Sequence, residues 1–301
     1  MRTSGMIGGL GPESTVDYYR SIIARFRALK PDGRYPHVII NSLDVQKGIA
    51  LLDTGRLSEL TDYLAAGVEL LVRAGADFGF IAANTPHLVF DEVERRSAIP
   101  LLSIVRVTCD YTKALGLKKV GLFGTKFTMR ASFYPKEFQK AGIALVRPKE
   151  PEQEFIHKKY IGELLNNRFL PETRTEILNI AQRMRSEDGI EALVLAGTEL
   201  PLLLRGTASS GVEFLDTSII HVEAIVDELL RNAGATQDWG ASQTPPFGYA
   251  PVRYTSRAKH GPMAARADRR RPRPRQSFFR ASRGESFRAN ASRRSRRSRA
   301  H

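Results

Sequence analysis

The sequence predicts an α/β protein in which two similar domains each contain a mainly parallel sheet flanked by helices. Short apolar runs of strand length alternate with longer stretches of helical periodicity. Two of these runs, leading to Ala83 and Gly197, both continue into hydroxyl, polar and proline residues. Each follows a glycine-rich turn at a matched distance, which is 75 positions from Gly8 to Ala83 and 76 from Gly121 to Gly197. This repetition indicates an internal duplication.

Four strand ends are expected to line one cleft between two pseudo-symmetric, Rossmann-like domains. The reason is that ligands of open α/β sheets bind beyond the carboxyl ends of the strands. Asn84 and Thr85 follow the first apolar run, and Thr198 and Glu199 follow the second. If only Asn84 and Thr85 are considered, an ordinary polar loop is as good an interpretation as a binding site. The second motif, with Thr198 and Glu199, favours the binding site.

In the first half, a helix is predicted over residues 12–29, because Pro12 suits a first turn and apolar residues recur at helical spacing. The residues expected to face the core are Val16, Tyr19, Ile23 and Phe26. The preceding turn, residues 8–11, would point backbone N–H groups into the cleft as an anion site. The alternative is that residues 8–11 form only a tight strand-to-helix turn. The spacing of their glycines does not match a dinucleotide-binding fingerprint. Further predicted elements are a strand at 37–42, a helix at 57–75 and a strand at 100–104.

The second half is predicted to begin near residue 117 and to repeat the alternation of strands and helices. Pro171 and Gly189 suit the start and the end of one of its helices. The other predicted elements are a helix at 128–141, a strand at 144–146, an amphipathic segment around 156–160 and a last helix at 219–230.

Composition limits the class of protein. The single cysteine, Cys109, excludes a disulfide within the chain and fits a reducing cytoplasm. No apolar run is long enough to span a bilayer, and the first residues do not have the pattern of a signal peptide. We therefore expect no membrane partner.

Residues 234–301 are predicted to be a disordered, arginine-rich tail outside the fold. Residues 251–301 hold 17 of the 46 Lys and Arg but only 2 of the 32 acidic residues, so residues 1–250 carry 29 basic and 30 acidic side chains. The near-neutral folded part gives no indication of nucleic-acid binding. The tail is either a basic arm for nucleic acid or non-native sequence. Residues 251–301 contain 16 Arg and one Lys, whereas residues 1–250 contain 18 Arg and 11 Lys. This difference in the ratio of Arg to Lys favours non-native sequence.

Four motifs together resemble the aspartate/glutamate racemase family, which is independent of pyridoxal phosphate. They are MIGGLGPEST at 6–15, AANTPH at 82–87, GTKFTM at 124–129 with Phe133-Tyr134, and GTELP at 197–201. The similarity covers roughly residues 5–232. It implies a first domain over 5–107 plus 212–232, a second over 108–211, and a last helix that packs on the first half. It further implies a cytoplasmic homodimer that binds an acidic amino acid or a dicarboxylate, without cofactor or metal.

One departure from the family pattern concerns the acid/base pair. The family has a cysteine in each half, and here Ala83 and Gly197 stand at those two positions. Neither residue can carry a proton, so the family mechanism cannot run unchanged. Cys109 lies in an amphipathic helical stretch and is expected to belong to the core. The nearest titratable alternatives are Glu199 and His87, with a turn-capping role as the other interpretation of His87, and Lys126 after them.

The polar residues of the family site are nevertheless present. By resemblance, Asn84, Thr85, Thr125 and Thr198 would bind the α-carboxylate and amine of the ligand, with Gly11 and Glu199 beside them. Arg56 and Lys158 would hold its side-chain carboxylate. The alternatives are a solvated arginine at position 56 and, for Lys158 or its neighbour Lys159, an exposed helix face.

Three functions follow as hypotheses. The chain is an amino-acid racemase, or a related isomerase or lyase, with rewired acid/base groups. Alternatively, it is a binder of acidic amino acids or dicarboxylates that lacks turnover, including a racemase inactivated by mutation. The third is a polyanion-binding protein that acts through its tail. Because Ala83 and Gly197 cannot accept a proton, little or no exchange of the ligand's Cα proton is expected.

Overall fold

The computed structural model describes residues 1–204 and 211–231. Within these residues the chain forms two four-stranded parallel sheets flanked by helices. The arginine-rich tail predicted at 234–301 lies outside the described residues.

The first sheet contains four parallel strands in the order β2-β1-β3-β4. They are β1 (Thr3–Gly8), β2 (His37–Ser42), β3 (Phe78–Ile81) and β4 (Leu101–Leu102). Between them lie α1 (Pro12–Leu29), α2 (Val45–Asp53), α3 (Leu57–Arg73), a 3₁₀ turn (Thr85–Val89) and α4 (Phe90–Arg96), and α5 (Ile104–Ala114) follows. Gly5 of β1 lies beside Ile39 of β2 and Gly79 of β3, which makes β1 and β3 the central strands.

The second sheet repeats this arrangement in the order β6-β5-β7-β8, again with every pair parallel. Its strands are β5 (Lys119–Gly124), β6 (Ala144–Val146), β7 (Ala192–Ala196) and β8 (Glu213–Asp216). Its helices are α6 (Lys126–Arg130), α7 (Phe133–Lys140), α8 (Glu150–Gly162), α9 (Pro171–Asp188), α10 (Leu200–Leu204) and α11 (Thr217–Leu230), with a 3₁₀ turn at Leu164–Asn166. The two sheets have the same strand order, so the predicted fold class is confirmed.

One hydrophobic cluster joins the two halves. Met6 and Phe80 from the first sheet and Leu122 and Val194 from the second belong to it, together with Ile225 of α11. Each of these side chains is fully or almost fully buried, and burial of one such side chain stabilises the fold by about 1.5–3 kcal/mol. The two sheets are therefore held in place by a shared core.

Helix α11 follows the second sheet and contacts the first half. The Nε2–H of its His221 donates to the carbonyl oxygen of Leu102 at 3.2 Å, since a carbonyl can only accept, and Tyr18 Oη donates to Nδ1 at 3.1 Å. Burial lowers the pKa of His221 to about 3, so its imidazole is neutral. Arg2 forms an ion pair with Glu228 at the other end of the helix.

Three sequence predictions need correction. Helix α1 has the expected bounds, but its buried face is Ser14, Tyr18, Ile22 and Phe26, whereas Val16 and Tyr19 are each 45% exposed. The single helix expected at 128–141 is two helices, because Pro135 cannot occupy a helix interior and lies instead in the first turn of α7. The strand expected at 100–104 stops at Leu102, where Ser103 caps α5 by accepting from the N–H of Arg106.

The domain limits 5–107 plus 212–232 and 108–211 stay a prediction. Within the segment 212–232, strand β8 pairs with β7 of the second sheet. Helix α11, in the same segment, packs on α1 and α5. The segment therefore contributes a strand to the second sheet and a helix that packs on the first half.

Candidate active site

Polar side chains that follow the carboxyl ends of four central strands lie together between the two sheets. Ser14 follows β1, Asn84 and Thr85 follow β3, Thr125 follows β5, and Thr198 and Glu199 follow β7. Tyr134 of α7 and Tyr160 of α8 reach the same place through hydrogen bonds to this set. We call these eight residues, with Thr128, the inter-sheet junction.

Asn84 is buried, and both ends of its amide are bonded. Tyr134 Oη donates to its Oδ1 at 2.6 Å, and its Nδ2 donates to Thr217 Oγ1 at 3.1 Å. Thr217 Oγ1 in turn donates to the carbonyl oxygen of Leu195 at 2.8 Å. These contacts fix the orientation of the amide across the boundary between the two halves.

Three threonine hydroxyls form a triangle across the same boundary. Thr85 Oγ1 lies 3.0 Å from both Thr125 Oγ1 and Thr128 Oγ1, and the last two are 3.3 Å apart. Thr125 also caps α6 by accepting from the N–H of Thr128 at 3.2 Å. Each hydroxyl can rotate its proton, so the triangle can donate to a carboxylate placed beside it.

Glu199 is 1% exposed, and three hydroxyls of the described residues donate to its carboxylate. Ser14 Oγ donates to Oε1 at 2.5 Å, while Thr198 Oγ1 at 3.1 Å and Tyr160 Oη both donate to Oε2. Burial raises the pKa of Glu199, although the hydrogen bonds from Ser14 and Tyr160 act in the opposite direction. Burial and the neighbouring Glu199 raise the pKa of Tyr160 well above its ordinary value.

The carboxylate of Glu199 lies at the N-terminus of α1. Gly11 caps this helix, and a Cβ at residue 11 would overlap Glu199 Oε1. Only glycine therefore permits this close approach. The place that the sequence indicated as an anion site next to Gly11 thus holds a carboxyl group of the chain itself, where the helix terminus favours negative charge.

Ala83 follows the end of β3, and Gly197 directly follows the end of β7. Ala83 is buried. A Cβ at residue 197 would lie 2.5 Å from Tyr160 Cε2 and 3.1 Å from Tyr160 Oη. The φ angle of Gly197 lies outside the left-handed region, so the tyrosine ring, rather than the backbone, limits a side chain at this position.

His87 is held in the first half. Its Nδ1–H donates to the carbonyl oxygen of Ala83 at 3.1 Å, and its ring stacks on Phe90 with centroids 4.5 Å apart. Burial is the main reason that the pKa of His87 falls to about 3. The imidazole is therefore neutral at physiological pH.

The remaining candidates interact with residues outside the junction or are exposed. Arg56 is exposed at the start of α3 and pairs with Glu59. Lys158 is exposed on α8, and Lys159 pairs with Glu163 at 2.5 Å. Lys126 follows Thr125, and its Nζ lies 5.2 Å from the centre of the Phe127 ring. Cys109 is buried in α5 with its Sγ 3.6 Å from the carbonyl oxygen of Glu137, and burial raises its pKa to about 12, as fits a core thiol.

Sequence reasoning missed the role of Tyr160. It assigned this residue only to an amphipathic segment, although Gln153, Ile156 and Tyr160 share the buried face of α8 at spacings of three and four residues. The signal that could have identified Tyr160 is its hydroxyl group, because the polar end of a buried aromatic residue usually needs a hydrogen-bond partner.

Two features are absent from the described residues. No cluster of three or more His, Cys, Asp or Glu within 1–204 and 211–231 could hold a metal ion. Over the same residues, no helix combines the length and the apolar character that crossing a bilayer requires.

Comparisons with known proteins give one consistent result. The family model described as Asp/Glu/hydantoin racemase matches residues 7–225. A candidate Asp/Glu racemase of Yersinia pestis is 29% identical with a TM-score of 0.70, over 77% of this chain and 100% of that one. An aspartate racemase homologue of Pyrococcus horikoshii OT3 is 33% identical with a TM-score of 0.64 over the same shares. The broad-specificity amino-acid racemase RacX of Bacillus subtilis is 26% identical over 166 residues, which is 54% of this chain and 67% of RacX.

Proposed function

The chain belongs to the Asp/Glu/hydantoin racemase family, and we propose that it binds an acidic amino acid or a dicarboxylate at the inter-sheet junction without racemising it by a two-thiol mechanism. The observation that carries this proposal is the convergence of hydroxyl and amide groups after four strand ends, next to an alanine and a glycine that have no proton to exchange.

The threonine triangle suits a carboxylate ligand. Within the described residues, the hydroxyls of Thr85, Thr125 and Thr128 hydrogen-bond to one another and to the backbone N–H of Thr128. Rotating two of the hydroxyl protons would provide two donors to one carboxylate, and Asn84 adds an amide at the same boundary. Hydrogen bonds to a charged acceptor are stronger than those between neutral groups, so the ligand can replace the internal contacts.

The chemistry of racemisation explains why racemisation by a pair of thiols should be absent. A proton must leave one face of Cα and another must arrive on the opposite face, which requires two groups that can carry a proton. Ala83 offers a methyl group and Gly197 a hydrogen atom. By the family resemblance these two residues would flank the ligand's Cα, so a carbon bound between them would lack the pair of thiols.

Binding of L- and D-aspartate and of L- and D-glutamate, measured by titration calorimetry, tests the proposal. At least one ligand should bind, and Thr85→Val should weaken it roughly tenfold, as expected for one lost hydrogen bond of about 1.5 kcal/mol to a charged group. Thr175→Val removes an exposed hydroxyl on α9 and serves as the matched control. Circular dichroism of the ligand should show no interconversion. If none of the four ligands binds, or if the chain racemises one of them rapidly, the proposal is refuted.

Homodimeric assembly, a cytoplasmic location and the roles of Arg56 and Lys158 stay predictions from the family resemblance. Sedimentation of the purified chain tests the first. Arg56→Ala and Lys158→Ala in the same calorimetric titration test the last, since a residue that binds the ligand's side-chain carboxylate should weaken acidic ligands when it is removed.

A further inference from the structure

The phenol of Tyr160 takes the place of a side chain at position 197. Any Cβ at residue 197 would start 3.1 Å from Tyr160 Oη, with the edge of the ring closer still. A residue of α8 therefore brings an O–H group to the point where the second half of the chain lacks a side chain. In turn, Tyr160 Oη is hydrogen-bonded to the Glu199 carboxylate, so proton carrier and proton acceptor are already in contact.

Among the residues that the structure describes, the corresponding place in the first half has no such pair. Asn84 and Thr85 follow Ala83, and neither side chain titrates in the physiological range. The hydroxyl of Tyr134 donates to Asn84, an amide that cannot take up its proton. His87 uses its Nδ1–H on the Ala83 carbonyl and stacks on Phe90 in the core of the first half. The junction is thus chemically one-sided.

We propose that Tyr160 and Glu199 form a proton relay that serves a single face of a carbon bound at the inter-sheet junction. The relay rests on the proposed ligand-binding function and extends it to a stereospecific proton exchange. Tyr160 Oη takes the Cα proton while its own phenolic proton passes to Glu199. The electron pair of the broken C–H bond moves onto the ligand's carboxylate. The reverse steps return a hydrogen to the same face, with retention of configuration.

Other hydroxyls support the relay without replacing it. Ser14 and Thr198 donate to the same carboxylate, so Glu199 keeps two hydrogen bonds after it accepts the phenolic proton on one oxygen. In this arrangement Tyr160 is the group that touches the ligand, and Glu199 acts through it. Exchange with solvent occurs whenever the hydrogen on Tyr160 is replaced before it returns to carbon.

Proton NMR of L- and D-aspartate, incubated separately with the full chain in D₂O, tests the relay. One enantiomer should lose its Cα proton signal while keeping its configuration, and the other should not exchange. Tyr160→Phe and Glu199→Gln should each slow the exchange by about 100-fold or more, as expected when a general acid or base is removed. The calorimetric Kd of each variant, measured in parallel, separates a loss of exchange from a loss of binding. Tyr19→Phe, which removes an exposed hydroxyl on α1, should exchange at the wild-type rate.

The outcomes separate the two proposals. Absence of binding removes the proposed function and the relay with it. Binding without any exchange, equal exchange of both enantiomers, or exchange that survives Tyr160→Phe overturns the relay and leaves the binding function in place. Glu199→Asp keeps a carboxylate and should recover part of the exchange lost in Glu199→Gln, which a merely structural role of Glu199 does not require.

Discussion

Ser14 Oγ donates to Glu199 Oε1 at 2.5 Å, across 185 positions of sequence. This contact joins the first turn of α1 to the loop after β7, so it links the two halves of the duplicated fold. It also places the carboxylate at the N-terminus of α1. The chain therefore places a carboxyl group of its own at a helix terminus of the inter-sheet junction.

Ser14→Ala should lower the free energy of unfolding by about 1–3 kcal/mol, because a buried carboxylate oxygen loses its donor. Burial already raises the pKa of Glu199 and the Ser14 hydrogen bond lowers it, so the substitution should raise this pKa further. Urea unfolding measures the loss. Ser58→Ala, an exposed serine in the first turn of α3, should change stability much less. Equal effects of the two substitutions would argue against a stabilising contact.

Two buried imidazoles should make the fold sensitive to acid. The pKa values of His87 and His221 are lowered from 6.5 to about 3 by burial, so between these values the unfolded chain binds more protons than the folded one. The stability that each neutral histidine contributes is therefore fully present above pH 6.5. As the pH falls below this value, the free energy of unfolding decreases by up to about 1.4 kcal/mol per pH unit for each histidine.

Urea unfolding at several pH values between about 5 and 7.5 measures this slope. His87→Gln should reduce the slope by the contribution of one histidine, because glutamine does not titrate. A slope that His87→Gln does not alter would contradict a neutral, buried His87.

Local patterns were sufficient to predict the fold, whereas the contacts of the site depend on distant residues. Matched motif spacing predicted the duplication, and helical periodicity predicted α1 and α9. The buried face of α1 was misassigned because Ser14, a polar residue, is buried through its bond to Glu199, which no local pattern contains. The position of Tyr160 against Gly197 likewise depends on how α8 packs on the sheet.

The arginine-rich tail should be dispensable for the fold, because its composition provides too little apolar surface to form a core. Truncation after about residue 240 should leave the melting temperature and the binding of aspartate and glutamate unchanged. A large drop in melting temperature would refute this. Salt-sensitive DNA binding by the full chain, lost on truncation, would instead favour the interpretation as a basic arm.

Restoring the two thiols of the family tests the assignment of Ala83 and Gly197. Ala83→Cys alone should allow a proton to be taken from the face next to residue 83. Gly197→Cys meets an obstacle that the sequence did not indicate. The φ of Gly197 lies outside the left-handed region, so the obstacle is the Tyr160 ring, which fills the space that a side chain would need.

Ala83→Cys combined with Gly197→Cys should therefore be less stable than wild type and gain little racemisation, because the ring atom 2.5 Å from the new Cβ must move. Adding Tyr160→Ala should remove this overlap and raise the rate at which L- and D-aspartate interconvert, measured by circular dichroism. The matched control is Gly197→Cys combined with Tyr160→Ala, which keeps Ala83 and should not racemise aspartate. If the triple variant folds and binds aspartate but does not racemise it, Ala83 and Gly197 do not flank the reacting carbon.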